Sequence, residues 1–289
     1  MLSSNILNVL NRTTLNFKKK GLASPRLDAE VLLSDCLKTD RSGLYMNFER
    51  LIADEELAGF LSCVERRQKE EPVAYIVGRK EFWSLVFEVN SRVLVPRPET
   101  ELLVEEVLKN CSDSGCRGIN ILEIGTGSGA ISVAVASELK KAHIVATDIS
   151  AEAVKMAGKN AEKNGVADRI SFLCGNLFEP VSGEFDIIVS NPPYISAEEF
   201  EQLPLEVRDF EPKEALLAGP EGTEFHYKLI TEGSRYLKCG GWLFMEMGAG
   251  QKDRVAGVLR ENKAYDNIGF RADYAGIDRI AMARKTRGF

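Results

Sequence analysis

Glu123-Ile124-Gly125-Thr126-Gly127-Ser128-Gly129 decides how this chain folds. The run Ile119 to Ile124 that leads into it is short, apolar and rich in β-branched residues, which predicts a buried strand. A helix is expected from about Ala130. Glycines between a strand and a helix let the chain turn sharply and let a ligand approach the backbone. The helix behind the turn points free N–H groups into the crevice. Moving outward, His143 to Thr147 reads as the next strand and ends in Asp148. Ile149-Ser150 then precede a helix with Ala153, Val154 and Ala157 on its apolar side. Ile170 to Cys174 and Phe185 to Val189 continue the series, and Gly241 to Met247 reads as a fifth strand. Asn267 to Tyr274 and Arg279 to Ala283, split by Ala275-Gly276-Ile277-Asp278, read as a closing hairpin. Strands alternating with helices predict a parallel α/β sheet.

Asp148 stands 19 residues after Gly129 (148 − 129). An acid at the end of the second strand suits ribose hydroxyls, so the crevice is expected to bind a nucleoside. The dinucleotide fingerprint is Gly-x-Gly-x-x-Gly. Here the third glycine comes early and a carboxylate, Glu123, precedes the turn. That carboxylate suits a cationic amino-acid end better than a pyrophosphate, which favours S-adenosylmethionine over a nicotinamide cofactor. The expected cofactor contacts are Glu123, Gly125, Thr126, Gly127, Ser128, Gly129, Asp148, Ile149, Asn176, Leu177 and Asn191. Asn176 follows the third strand and offers an amide to adenine. Leu177 or Phe178 offers either an apolar face for the base or plain core packing.

Ser190-Asn191-Pro192-Pro193-Tyr194 closes the fourth strand. In isolation Asn-Pro-Pro is an ordinary turn signal. Its place after a cofactor-type strand order makes it a candidate catalytic site. Two prolines fix φ, remove two N–H groups and press the preceding residues into extended geometry. The corner is therefore stiff and offers carbonyl acceptors without competing donors. Asn191 adds a side-chain oxygen and Tyr194 a flat apolar face. Asn191, Pro192, Pro193 and Tyr194 together suit a planar –NH₂ group.

Residues 1–75 carry helical periodicity and predict a small helical domain that either props its neighbour or recognises a substrate protein. Leu27, Val31, Leu32 and Cys36 are placed on one helix face, and Leu57, Phe60, Leu61 and Val64 on another, with Asp54 as N-cap. Lys18-Lys19-Lys20-Gly21 reads as a helix end. Residues 76–98 read as a β-hairpin connector, Glu81 to Val89 and Arg92 to Val95 turning at Asn90-Ser91. The methyl-transfer domain is expected over 99–289, opening at Glu99 or Thr100 with a helix that carries Leu102, Leu103, Val104 and Val107. The excursion 195–238 is too long for a plain connection. It is either a solvated acidic surface or a lip over the substrate.

Composition bounds the function. With 44% hydrophobic and 28% charged residues the 289-residue chain is globular. A net charge of −6 argues against a broad phosphate-binding surface. With His143 and His226 alone, a His-rich metal site is not expected, and a Ser-His-Asp triad has few candidates. Cys36, Cys63, Cys111, Cys116, Cys174 and Cys239 form no Cys-x-x-Cys pair and read as thiols of a reducing compartment. No run is long enough to span a membrane, and Met1 to Leu10 lacks a basic leader. A cytoplasmic monomer is expected.

With Glu123 to Gly129, Asp148 and Asn191-Pro192-Pro193-Tyr194 in place, the chain resembles the amino-methylating class I methyltransferases. Pro96-Arg97-Pro98-Glu99-Thr100-Glu101, Glu206-Val207-Arg208-Asp209-Phe210-Glu211-Pro212, Gly222 before Phe225-His226-Tyr227, and Arg26-Leu27-Asp28-Ala29-Glu30 narrow this. Over nearly its whole length the chain resembles the release-factor glutamine methyltransferases. The resemblance implies a Rossmann-like, seven-stranded, mostly parallel sheet. It also implies S-adenosylmethionine as cofactor and peptide chain release factors as protein substrates, methylated on the N5 amide nitrogen of the glutamine in a Gly-Gly-Gln loop. The chain departs from the family at Asn176, where an acid is common, and at Thr223, where an apolar residue is usual. Asn-Pro-Pro-Tyr is shared with adenine-N6 methyltransferases, so a nucleic acid is the rival substrate and a glutamine of a ribosomal protein a further one. The acidic balance speaks against direct nucleic-acid binding. A non-catalytic cofactor-binding protein is the rival from another class.

Overall fold

Alternating strands and helices build one seven-stranded sheet in the structure, a computed structural model that describes residues 5–113 and 118–286. The chain divides into two compact units: Met1–Gly78 with Pro204–Phe210, and Arg79–Leu203 with Glu211–Phe289.

The first unit holds α1 (Ile6–Lys19), α2 (Pro25–Cys36), α3 (Arg41–Met46), α4 (Asp54–Gln68) and α5 (Val73–Val77). Ile6, Leu10, Phe17, Leu32, Leu33, Leu44 and Phe60 form its core. Two expected faces are corrected. Leu27 and Leu61 are 44% and 40% exposed, while Leu32, Phe60 and Val64 turn inward as expected, joined by Ala29 and Leu33 of α2 and Arg67 of α4. Periodicity located the helices, but partners on more than one side rotated the buried stripes. Asp54 is the first helical residue rather than the cap. The cap is Ala53, whose N–H donates to Glu56. α1 ends as expected, at Lys18, Lys19 and the left-handed Gly21. Two acids of Arg26-Leu27-Asp28-Ala29-Glu30 are buried with cationic partners, as removal from water demands. Glu30 binds Arg26 at 2.6 Å and Arg41 at 2.7 Å. Asp28 binds Arg67 at 2.8 Å. Arg67 also pairs with Glu206 at 2.7 Å, so the short segment 204–210 belongs to this unit although it lies far along the chain. The thiols of Cys36 and Cys63 lie 3.8 Å apart, and Cys116 falls outside the described residues.

The second unit begins with a hairpin, β1 (Arg79–Phe82) and β2 (Leu85–Glu88). Its turn is Trp83-Ser84, not Asn90-Ser91. Both turn residues take positive φ, 53° and 57°, the geometry that matches strand twist, without the glycine or asparagine that signals it in a sequence. Asn90 makes a local turn instead, accepting from Arg92 and Val93, and 92–95 stay out of any strand. A 3₁₀ turn at Pro98–Thr100 leads into α6 (Glu101–Asp113). Then follow β3 (Asn120–Ile124), α7 (Ala130–Glu138), β4 (His143–Asp148), α8 (Ala151–Lys163), β5 (Ile170–Cys174) and β6 (Phe185–Ser190). The excursion after β6 contains β7 (Ile195–Ser196), α9 (Ala197–Glu201), α10 (Leu205–Arg208), β8 (Leu217–Gly219) and α11 (Glu224–Gly233). Next come β9 (Leu237–Glu246), which starts earlier than its apolar run suggests, and α12 (Lys252–Glu261). An antiparallel pair, β10 (Tyr265–Ala272) and β11 (Asp278–Lys285), closes the sheet as expected.

The sheet order is β10-β11-β9-β6-β3-β4-β5. From β3 the chain steps through β4 and β5 on one side, then returns to place β6 on the other, and β3, β4, β5, β6 and β9 run parallel. The reversal between β3 and β6 opens a crevice beyond their carboxyl ends, the usual ligand position in such sheets. Leu122, Ile124, Ile188, Leu243 and Met245 point to one face and pack with Leu229 and Ile230 of α11 and Val255 and Leu259 of α12. Alternate residues Ile121, Ile187, Val189 and Phe244 point to the other face and are buried too. Both sides of β3 and β6 are thus sealed, and only their ends remain for chemistry. No described helix is long and apolar enough to cross a membrane.

Candidate active site

Two loops leave the carboxyl ends of β3 and β6 side by side. Ile124 pairs with Ser190, and the Ser190 hydroxyl donates to the Ile124 carbonyl at 2.7 Å. The Asn191 carbonyl oxygen lies 3.9 Å from where a Cβ on Gly125 would stand. The glycine turn and the Asn-Pro-Pro-Tyr corner are therefore neighbours, although 62 positions (191 − 129) separate Gly129 from Asn191 in sequence.

The turn is held from below. Gly125, Gly127 and Gly129 have φ of 78°, 55° and 82°, a region costly for residues with a Cβ. A Cβ on Gly129 would also meet Ala157 of α8 at 3.1 Å, whereas one on Gly127 would meet open space. Gly125 N–H and Thr126 N–H both donate to the Thr147 carbonyl at 2.9 Å. Gly127 N–H donates to Asp148 Oδ2 at 2.8 Å, and Ser150 N–H to Asp148 Oδ1 at 2.9 Å. Asp148 is thereby locked at the crevice edge. Burial raises its pKa above the usual aspartate value. Ile149 beside it is 64% exposed.

Glu123 is 1% exposed. Its Oε2 accepts from the Thr126 hydroxyl at 2.8 Å and from Ser132 N–H at 3.2 Å, which ties β3 to the turn and to the start of α7. Its Oε1 is buried with no hydrogen-bond partner among the described residues. Burial pushes this carboxyl up to about 7. Ser128 and Thr126 are buried as well, and the Ser128 carbonyl accepts from Asn160. An orphaned carboxylate oxygen, an uncrowded glycine and a pinned aspartate suit a ligand with a cationic amino-acid end and a ribose.

Beyond β5, Asn176 is exposed and leans on Glu179 at 3.4 Å. Leu177 takes φ 48°, and its carbonyl accepts from Thr147 at 3.4 Å. Phe178 is not at the crevice. It is 3% exposed in the core and stacks on Tyr236 with ring centroids 4.7 Å apart.

The corner rests on residues that sequence reasoning did not place. Asn191 Nδ2 donates to Thr100 Oγ1 at 3.1 Å, and the Thr100 hydroxyl donates to Glu246 Oε2 at 2.7 Å. Tyr194 OH donates to the other oxygen, Oε1, at 3.4 Å. Glu246 is 1% exposed at the end of β9, and burial pushes its carboxyl up to about 7. The Tyr194 hydroxyl is held above the usual phenol range by burial and then by the charge of Glu246. Gln251 stitches the corner to the far side of the excursion. Its Nε2 donates to the carbonyls of Tyr194 at 2.7 Å and Gly222 at 3.1 Å, and its Oε1 accepts from Gly248 N–H at 2.8 Å. A Cβ on Gly222 would sit 2.9 Å from both Gln251 and the Tyr194 carbonyl, so this approach requires glycine. Buried His226 bonds the Glu246 carbonyl oxygen through Nε2 at 2.8 Å. Arg97 pairs with buried Glu211 at 2.6 Å. The one sequence signal for Glu246 was an acid inside the apolar run Leu243 to Met247.

A release factor glutamine methyltransferase from Rhodopirellula baltica is 41% identical over 288 residues, covering 97% of this chain and 96% of that protein. The chain belongs to the release factor glutamine methyltransferase family. Another member, from Geobacter sulfurreducens, is 41% identical over 280 residues with 96% of each chain covered. Residues 8–78 match the family described as PrmC N-terminal domain, and residues 98–205 match Methyltransferase small domain. Among solved structures, a methyltransferase from Pyrococcus furiosus superposes with a TM-score of 0.52 at 21% identity, covering 70% of this chain and 89% of that one. The hMettl16 catalytic domain in complex with an RNA hairpin gives 0.57 at 16% identity, covering 83% and 84%. At such identities these two speak for the fold alone. The family's fold is a class I methyltransferase sheet preceded by helices.

Proposed function

We propose that this chain transfers a methyl group from S-adenosylmethionine to the N5 amide nitrogen of the glutamine in the Gly-Gly-Gln loop of peptide chain release factors. One observation supports this site chemistry above others. The Asn191 –NH₂ is spent on Thr100, while its Oδ1 takes no hydrogen bond from the described residues. An acceptor next to a proline-braced carbonyl suits the two hydrogens of an amide nitrogen.

An amide nitrogen is a weak nucleophile because its lone pair is delocalised into the carbonyl. The protein must therefore orient it and exclude water. Asn191 Oδ1 and the Pro192 carbonyl each accept one N–H of the substrate glutamine, and Pro193 and Tyr194 pack against the amide plane. Gly125 to Gly129, Glu123, Asp148 and Ile149 hold the cofactor, with Leu177 and Asn176 at its edge. When bound, it would supply an electrophilic methyl carbon on a sulfonium sulfur, which would keep the carbon–sulfur electron pair as the substrate nitrogen takes the methyl group. Positive charge grows on nitrogen in the transition state, and the two preset acceptors stabilise it there. One N–H proton then departs to water or along the acceptors, so no strong base is needed.

The helical unit is assigned to gripping the protein substrate. Its exposed apolar side chains Leu15, Tyr45, Met46 and Leu51 support that role. A release-factor substrate also implies a cytoplasmic enzyme, since the factor acts in translation. Incubating the chain with S-adenosylmethionine and a release-factor peptide, followed by fragmentation mass spectrometry, is expected to show a gain of roughly 14 mass units, one CH₂, on the Gly-Gly-Gln glutamine alone. An unmodified peptide, or a methyl group on an oligonucleotide instead, would overturn the reading.

A further inference from the structure

Asn191 has two ends of nearly the same shape, and only one of them suits a substrate –NH₂. With Oδ1 outward the corner accepts an N–H. With Nδ2 outward it would repel that N–H and welcome a carboxylate. Among the described residues, Asn191 is tied to its neighbours through a single side-chain bond, to Thr100. A hydroxyl carries one hydrogen and can either donate or accept toward a given neighbour. The Thr100 hydrogen is committed to Glu246 Oε2 at 2.7 Å. Toward Asn191, Thr100 can then only accept, so the –NH₂ must face Thr100 and Oδ1 must face away. The commitment is firm above about pH 7, where Glu246 is ionised, because an ionised carboxylate offers no hydrogen of its own. Both Glu246 oxygens are engaged as acceptors, the second by Tyr194 OH at 3.4 Å. Glu246 and Thr100 are 1% and 4% exposed, so water does not compete for these bonds.

We propose that Glu246 is a positioning residue that sets the polarity of the Asn191 amide through Thr100, and so makes the site select a glutamine side chain over a glutamate. This rests on the glutamine-methylating reading above. Glu246 touches no reacting atom. It acts by fixing which end of Asn191 the substrate meets, and it steadies the Tyr194 hydroxyl from the same position. The substitution Glu246→Gln keeps the volume but adds a donor. The amide it introduces can give a hydrogen to Thr100, which frees the Thr100 hydrogen to bond Asn191 Oδ1 and turn Nδ2 outward.

The test uses the full chain well above pH 7, where Glu246 is ionised, and two release-factor peptides, one with the target glutamine and one with glutamate in its place. KM and kcat are measured for the first and the inhibition constant for the second. The wild-type chain is expected to favour the glutamine peptide, and Glu246→Gln to shrink that preference about tenfold, the scale of one charge-assisted hydrogen bond. Thr100→Val should shrink it similarly, while Thr100→Ser, which keeps the hydroxyl, should restore it. A purely structural role would weaken both peptides alike and leave the ratio unchanged. That unchanged ratio, in folded Glu246→Gln or Thr100→Val with an active wild type, overturns the proposal. If Glu246→Gln does not fold, the contrast of Thr100→Val with Thr100→Ser decides it in the same way. A wild type that leaves the glutamine peptide unmethylated overturns the functional reading, and this proposal with it.

Discussion

Glu123 and Glu246 are near twins in chemistry and opposites in how they are held. Each is 1% exposed, and each is pushed by burial up to about 7. Glu123 bonds residues three and nine positions further along, so its strand, turn and helix form one continuous piece of chain. Glu246 bonds Thr100 and Tyr194, separated from it by 146 and 52 positions, and joins three segments that meet only in the folded protein. The glycine turn after β3 is thus largely a local motif, and the Asn-Pro-Pro-Tyr corner is a tertiary assembly. The first is tied by bonds across three and nine positions, and by Gly127 to Asp148 across 21. The second depends on the packing of β6, β9 and the turn before α6.

Three variants sharpen this contrast. The largest effect is expected at the corner: Asn191→Ala should lower kcat about a hundredfold, the loss of one preset polar partner in a transition state. Cofactor affinity, read by calorimetry, should barely move. Near-normal turnover would remove Asn191 from the mechanism. A smaller effect belongs to the crevice: Asp148→Ala should weaken S-adenosylmethionine binding about tenfold, the worth of a hydrogen bond to a charged group. An unchanged dissociation constant would show that Asp148 serves only the turn. The third tests the twins together. A carboxyl raised from its ordinary 4.5 to about 7 adds stability that is whole below pH 4.5 and is lost as pH climbs through about 7. Thermal unfolding should therefore reveal weakening across that window, by about 1 kcal/mol per pH unit for each such group. Glu246→Gln should flatten the slope, leaving the Glu123 contribution in place. A slope that does not change would mean that Glu246 does not titrate there.

Legibility in the sequence followed the same divide. The glycine turn, Asp148 and the Asn-Pro-Pro-Tyr corner were readable because each is contiguous and its residue types carry their own backbone constraints. The hairpin turn at Trp83-Ser84 was misplaced because those residues adopt left-handed geometry without the usual turn chemistry, held by the pairing of Arg79–Phe82 with Leu85–Glu88. Leu27 and Leu61 were assigned to the core because helical periodicity alone does not say which stripe a neighbour covers. Phe178 looked equally suited to a base or to the core, and its stacking on Tyr236, 58 positions on (236 − 178), chose the core. Thr100 stands in the sequence as a helix start and within the Pro-Arg-Pro-Glu-Thr-Glu stretch of the family resemblance, with nothing to tie it to Asn191, and Gln251 gives no signal at all.

By itself, the order of residues determined the alternation of strands and helices, the sharp glycine turn after β3 and the stiffness of the proline corner. All of these arise from steric limits on φ and from side-chain period, which act within a few residues. Only the tertiary structure decided which end of Asn191 faces outward. That choice depends on one hydrogen on Thr100 and a buried carboxylate on Glu246, brought together from opposite ends of the second unit. Burial makes the choice firm, because a hydrogen bond removed from water has no competing partner to exchange with.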